Sequence, residues 1–275
     1  MPAARDGTTT LRGLAFHFLD WGSAGRPRLL LLHGGAQTAH SWDDVAPDLA
    51  RDHDVLALDQ RGHGETDWAP DGGYRREDFV ADVHAFLDDR GWPDATIVGL
   101  SLGGVNTIAF AAAHPERTRG IVVVDVAPTV APAGVEAIRA QLAVRDFATF
   151  DEAVERALAF NPRRTRANVA ERLRHALRRR ADGRWTYRFD PRIGGGDVER
   201  DLDALWTQVR AVRCPALLVR GAESPILAAE TAVRFARELS GAAVAEVPHA
   251  GHSVMGDNPA GFLAAVRPFL ARHAL

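Results

Sequence analysis

The 275-residue chain contains no lysine; all 33 of its basic residues are arginine. Alongside the abundant alanine, this reads as a compositional bias of the genome with no chemistry of its own. Cysteine is nearly absent too. The single Cys214 excludes an intrachain disulfide, and its position before Pro215 and an apolar run marks it as a buried structural thiol. No apolar run approaches the length needed to cross a bilayer, and residues 1–12 lack a hydrophobic signal segment, so a cytoplasmic location is expected. A net charge of −3 gives no bulk electrostatic case for nucleic acid or an anionic membrane. No His or Cys cluster has zinc spacing, and no Gly-x-Gly-x-x-Gly follows a strand in a dinucleotide-binding context. No internal repeat or low-complexity segment appears. No cofactor or metal is therefore expected. The expected partner is a small-molecule substrate, with self-association into a homodimer left open.

What is present is a rhythm of apolar strands and amphipathic helices in a chain long enough to bury a core without staples. Residues 8–11 and 15–19 read as a hairpin across Arg12-Gly13. Residues 28–32, 55–58, 95–98, 120–124, 216–219 and 243–247 read as later strands. Several are continuous apolar runs, as a sheet covered on both faces requires. Helices are expected at 41–51, 76–90, 105–114, 230–239 and 259–272, an alternation that argues a mostly parallel eight-stranded sheet flanked by helices. The rhythm breaks between 129 and 210. That stretch has no convincing strand, carries helix-period segments at 134–145, 150–160 and 165–180, and is punctuated by prolines and by Gly194-Gly195-Gly196. It reads as a helical lid at 129–209 inserted into a core of 1–128 and 210–275. Within it Arg172, Arg174, Arg178, Arg179 and Arg180 read as a solvated helix face.

One motif carries most of the functional information. Val98-Gly99-Leu100-Ser101-Leu102-Gly103-Gly104 turns from a strand into a helix through a bend so tight that its flanking positions must be glycine. The bend lifts Ser101 above the end of the sheet at a helix N-terminus, where negative charge is favoured. Three further segments surround it. Leu29 to Leu32 run into His33-Gly34-Gly35. The strand at 54–58 runs into Asp59-Gln60-Arg61-Gly62-His63-Gly64. Near the end, Val244 to Val247 lead to Pro248-His249-Ala250-Gly251-His252-Ser253. Taken together these segments resemble the α/β-hydrolases over nearly the whole chain from about Leu11 onward, with Gly-x-Ser-x-Gly as the nucleophile elbow and serine, acid and histidine following in the family's order.

The resemblance implies a triad. A serine hydroxyl is a weak nucleophile near neutral pH and needs a base, which in turn needs an orienting acid. His252 stands where the family has its catalytic histidine; His249 reads as structural or surface, and His33 as a packing or hydrogen-bonding residue of its turn. Many members carry the acid in a Gly-x-x-Asp turn, but this chain has Gly221-Ala222-Glu223-Ser224, with serine at the aligned position. Val124-Asp125-Val126-Ala127-Pro128 resembles the Asp-x-x-Pro segment that supplies the acid in fluoroacetate dehalogenase-like members. Asp125 is therefore the preferred acid and Glu223 the alternative. The oxyanion hole is assigned to the backbone N–H of Leu102 and of Gly35, with Ala36 the alternative to the latter. Asp59, Arg61, Gly62 and Gly64 read as structural.

Among the aromatic residues of the 129–209 stretch, Trp185, Tyr187 and Trp206 are the candidates for substrate contact. Serine at the elbow disfavours the dehalogenase and epoxide-hydrolase chemistries of this fold, which use aspartate there. The expected activity is hydrolysis of an ester, a lactone or an activated C–C bond through an acyl-enzyme. Two alternatives stand beside it: a cofactor-free haloperoxidase-like perhydrolase, and a small-molecule receptor on a hydrolase scaffold with slow turnover.

Overall fold

The computed structural model describes residues 4–193, 198–239 and 241–275, with the backbone alone at 198–203. The Gly194-Gly195-Gly196 run lies outside the described residues. The hairpin forms as expected: β1 (Arg5–Leu11) and β2 (Leu14–Asp20) pair antiparallel, and Arg12 and Gly13 both take positive φ, +50° and +81°. That geometry matches the right-handed strand twist in a two-residue turn. The sheet is completed by β3 (Arg28–Leu32), β4 (Asp54–Leu58), β5 (Ala95–Leu100), β6 (Thr118–Val124), β10 (Ala216–Gly221) and β11 (Ala243–Val247). Its eight strands lie in the order β1-β2-β4-β3-β5-β6-β10-β11, parallel from β4 onward.

The apolar runs are explained by burial on two faces. Leu29 and Leu31 of β3 pack with Trp42, Val45 and Phe262 on one side. Leu30 and Leu32 pack with Val83, Phe86 and Leu87 of α2 (Arg76–Asp89) on the other. All four leucines are fully buried, which contributes on the order of 1.5–3 kcal/mol each. Further along that second face, Ile121 and Val123 meet Val105 and Ile108 of α3 (Leu102–Ala113). Cys214 is partly buried against this cluster, and burial pushes its thiol up to about 11.

Two expectations about helices are corrected. The helix expected at 41–51 is two short pieces, a 3₁₀ turn at Ala39–Trp42 and α1 (Ala46–Leu49). Pro47 supplies no backbone donor and sits in the first turn of α1, where a helix loses nothing by it. The stretch from 129 to 210 is also not purely helical. It contains α4 (Pro132–Ala143), α5 (Phe150–Phe160), α6 (Arg166–Ala176) and α7 (Val198–Ala211), but also a three-stranded antiparallel sheet of β7 (Asp146–Phe147), β9 (Trp185–Tyr187) and β8 (Leu177–Arg179). The helix expected over 165–180 therefore stops at Ala176.

This sheet and its helices enclose a small core of their own, built around Phe147, Val154, Val169, Leu173 and Leu177. Polar ties join the stretch to the rest of the molecule: Tyr74 Oη donates to Asp190 at 2.5 Å, and Trp68 Nε1 to the Arg188 carbonyl at 2.8 Å. After β10 come α8 (Ala229–Glu238), then α9 (Val254–Asp257) and α10 (Pro259–His273). No helix among the described residues is long and apolar enough to cross a membrane.

Candidate active site

Four strand ends converge at the carboxyl edge of the sheet, the edge where open α/β sheets bind ligands. Ser101 follows β5 with φ +50° and ψ −113°, a strained conformation for a residue with a Cβ. The strain is held by close packing. A Cβ on Gly99 would lie 2.3 Å from the Gly103 carbonyl oxygen, and one on Gly103 would lie 2.2 Å from the Leu32 carbonyl oxygen. The elbow glycines are thus set by how near α3 approaches the sheet. Gly103 N–H also donates to the His33 carbonyl at 3.1 Å, stitching the elbow to the loop after β3.

Asp125 follows β6, fully buried and also at positive φ, +51°. Its N–H extends the ladder by donating to the Val219 carbonyl at 2.8 Å. Its carboxylate collects three donors. Oδ2 accepts from His252 Nδ1 at 2.8 Å and from the Ser224 hydroxyl at 2.5 Å; Oδ1 accepts from Gly221 N–H at 3.0 Å. Glu223, the alternative acid, lies elsewhere. It is about half exposed and accepts from Arg163 Nε and Nη2 at 2.9 and 2.7 Å. The structure thus pairs His252 with Asp125 and sets Glu223 against Arg163. Ser224, at the family's usual acid position, is a hydrogen-bond partner of Asp125.

Ser101 and His252 line one cavity of about 630 Å³ together with Gly34, Gly35 and Ala36. Gln37 N–H donates to the Gly34 carbonyl at 3.2 Å, closing a turn in which Ala36 takes φ +60°. A Cβ on Gly35 would enter open space, so the backbone there is free to meet a ligand. Gln37 Nε2 donates to Ser253 Oγ at 3.2 Å, linking this loop to the residue beside His252. That link has no signal in the sequence. His33 is fully buried; its Nδ1 donates to the Gly34 carbonyl at 2.8 Å and its Nε2 accepts from Gln60 N–H at 3.0 Å. Burial pulls its pKa down, so it acts as a neutral brace of the turn. His249 is exposed, as expected of a surface residue.

Asp59 is likewise structural: its carboxylate accepts from Ala39 N–H, Glu65 N–H and His17 Nδ1. Of the three candidate aromatic residues, only Tyr187 lines the cavity among the described residues. Trp206 packs beside α3 and donates from Nε1 to Thr129 at 3.3 Å; Trp185 packs on Phe150 at 5.1 Å between ring centroids. The arginine group does not form one solvated helix face, because α6 ends at Ala176, before Arg178, Arg179 and Arg180. Arg174 is exposed and paired with Glu171, and Arg178 and Arg179 lie exposed on β8, but Arg172 is mostly buried and lines the cavity with Arg163 and Arg164. None of these three was expected there. Among the described residues, no group of three or more His, Cys, Asp or Glu side chains is arranged to hold a metal.

The sheet order and the nucleophile-elbow geometry define a hydrolase scaffold. The profile of the alpha/beta hydrolase fold matches residues 27–259. An esterase of Mycobacterium tuberculosis is 32% identical over 264 residues, which cover 93% of this chain and 86% of its own length. A 3-hydroxybutyrate-oligomer hydrolase of Cupriavidus necator is 28% identical, covering 91% and 90%. The crystal structure of an α/β hydrolase from Novosphingobium aromaticivorans superposes with a TM-score of 0.84 at 31% identity, covering 99% of both chains. The chain belongs to the α/β-hydrolase family, and it is a hydrolase.

Proposed function

We propose that the protein is a serine hydrolase that cleaves an ester of a small molecule through an acyl-enzyme on Ser101. The observation that carries this reading is the 2.8 Å bond from His252 Nδ1 to a buried Asp125, with His252 opening onto the same cavity as Ser101. A histidine whose Nδ1–H is held by a carboxylate presents a basic Nε2 to the serine. Nε2 takes the Ser101 proton as Oγ attacks the carbonyl carbon. The developing oxyanion is met by the N–H of Leu102, at the start of α3, and by the N–H of Gly35, with that of Ala36 beside it. The imidazolium returns its proton to the leaving alcohol, and the acyl group stays on Oγ. Water enters, gives a proton to His252 and its hydroxide to the acyl carbon, and His252 passes that proton to Ser101 Oγ as the acid departs. Asp125 stabilises the imidazolium in both halves. Residues 129–209 act as a lid whose α4, α5 and α6 form one wall of the cavity.

The esterase and the oligomer hydrolase among the relatives favour an ester over a lactone or a C–C bond. The test is Ser101→Ala with a 4-nitrophenyl ester. Turnover falls on the order of 10⁴-fold, while the protein stays folded, and a serine-directed phosphonate labels Ser101 alone. An active variant, or labelling at another residue, overturns the reading.

A further inference from the structure

Three guanidinium groups line the cavity, and they are not equivalent. Arg163 is held by Glu223 through two nitrogens, and Arg164 donates from Nε to Asp257 at 3.0 Å. Arg172, on α6, is held by one nitrogen only: Nη2 donates to Asp44 Oδ2 at 2.5 Å. The same Asp44 oxygen takes Asn168 Nδ2 at 3.2 Å, which fixes the carboxylate in place. Among the described residues Arg172 Nη1 is buried and has no partner, while the side chain as a whole is 13% exposed and lines the cavity. A charged donor closed off and unpaired is costly to keep, because it has lost its water without gaining an acceptor. The planar guanidinium is built to accept a carboxylate along an edge, and one of its nitrogens remains unused.

We propose that Arg172 is an anion subsite and that the substrate is an ester carrying a free carboxylate at a second position of the molecule. The assignment to an ester rests on the reading of Ser101 as nucleophile; the carboxylate subsite does not. Arg172 holds the carboxylate while the ester carbonyl is presented to Ser101. Asp44 sets the guanidinium plane and lowers its net charge, so it tempers the subsite.

Two measurements test this. The first compares mono(4-nitrophenyl) glutarate with its isosteric amide, the 4-nitrophenyl ester of glutaramic acid. The wild type prefers the carboxylate by about tenfold or more in kcat/KM, the usual worth of a charge-assisted hydrogen bond. R172Q brings that ratio close to one, and D44N keeps or raises it. Equal kcat/KM for the two esters in the wild type overturns the proposal. So does a common loss of the ratio in R172Q and D44N, which would make the Arg172–Asp44 pair a strap between α6 and the core and nothing more. The second measurement is calorimetric binding of glutarate against glutaramide. Glutarate binds more tightly, and R172Q removes the difference; equal binding overturns the subsite. If neither ester is turned over, the hydrolytic reading fails and the binding result still decides the subsite.

Discussion

Asp125→Asn isolates the charge at the site from its shape. The carboxylate is fully buried and makes three hydrogen bonds, all as acceptor. An amide of the same size has one oxygen and one NH₂ group. If its oxygen faces Gly221 N–H, the NH₂ must face His252 Nδ1, which can then only accept. The imidazole proton moves to Nε2, the tautomer that cannot take a proton from Ser101. If the amide is turned over, its NH₂ meets the Gly221 N–H and a buried donor is left unpaired, at about 1–3 kcal/mol. The first arrangement avoids that loss and is the one expected. Wrong tautomer and lost imidazolium stabilisation together cost about 10⁴ in kcat in the serine-protease case. Steady-state turnover of a 4-nitrophenyl ester should fall by that order, with thermal unfolding lowered by no more than several degrees. Glu223→Gln, which disturbs the half-exposed Arg163 pair and the contact with the exposed His249, should leave kcat within about threefold. An Asp125→Asn enzyme that keeps kcat within tenfold of the wild type, or a larger loss from Glu223→Gln, refutes the assignment of the acid.

Other outcomes follow from the same geometry. Ser224→Ala removes one donor from Asp125 and orphans the N–H groups of Ile226 and Leu227, which both donate to Ser224 Oγ at 3.1 Å. Calorimetry should find about 1–3 kcal/mol less stability, and kcat should fall by about tenfold. Gly103→Ala puts a methyl group 2.2 Å from the Leu32 carbonyl, so α3 must move off the sheet; the soluble yield should collapse, and a variant with wild-type Tm would contradict the packing described. His17 is pulled down by burial but raised further by the hydrogen bond and charge of Asp59, to about 9. Because the folded value lies above the usual 6.5, its contribution to stability is complete below pH 6.5 and is lost as the pH climbs through 9. Tm should decline across that window in the wild type, and His17→Gln should flatten the decline.

The sheet was legible because its strands are long apolar runs whose alternate residues serve two cores; Leu29 to Leu32 could hardly do anything else. The elbow was legible because glycine is demanded on steric grounds at Gly99 and Gly103. The carboxylate that meets His252 was legible only as a choice. Asp125 ends an apolar strand, but whether it or Glu223 reaches His252 depends on how β6 and β10 align, which is a long-range pairing. The strands β7, β8 and β9 are two or three residues long and include Arg178, Arg179 and Thr186. No period can be read from so few positions, so the sheet they make was invisible. Arg172 was misread for a related reason. Its neighbours suit a solvated helix face, and its partner Asp44 lies 128 residues earlier.

Because β6 and β10 are neighbours, Asp125 and Ser224 leave their strands side by side and meet at one point in space. A carboxylate at that point therefore has two covalent addresses for a single location. Exchange between them needs two substitutions, and the order matters. Losing Asp125 first empties the pocket of charge and leaves His252 unsupported. Gaining a carboxylate at Ser224 first puts two in a buried pocket, where one of them holds a proton and still donates a hydrogen bond to the other. Only the second path keeps a carboxylate beside His252 throughout. A fold built this way can hold a carboxylate from either strand while the point it occupies stays still.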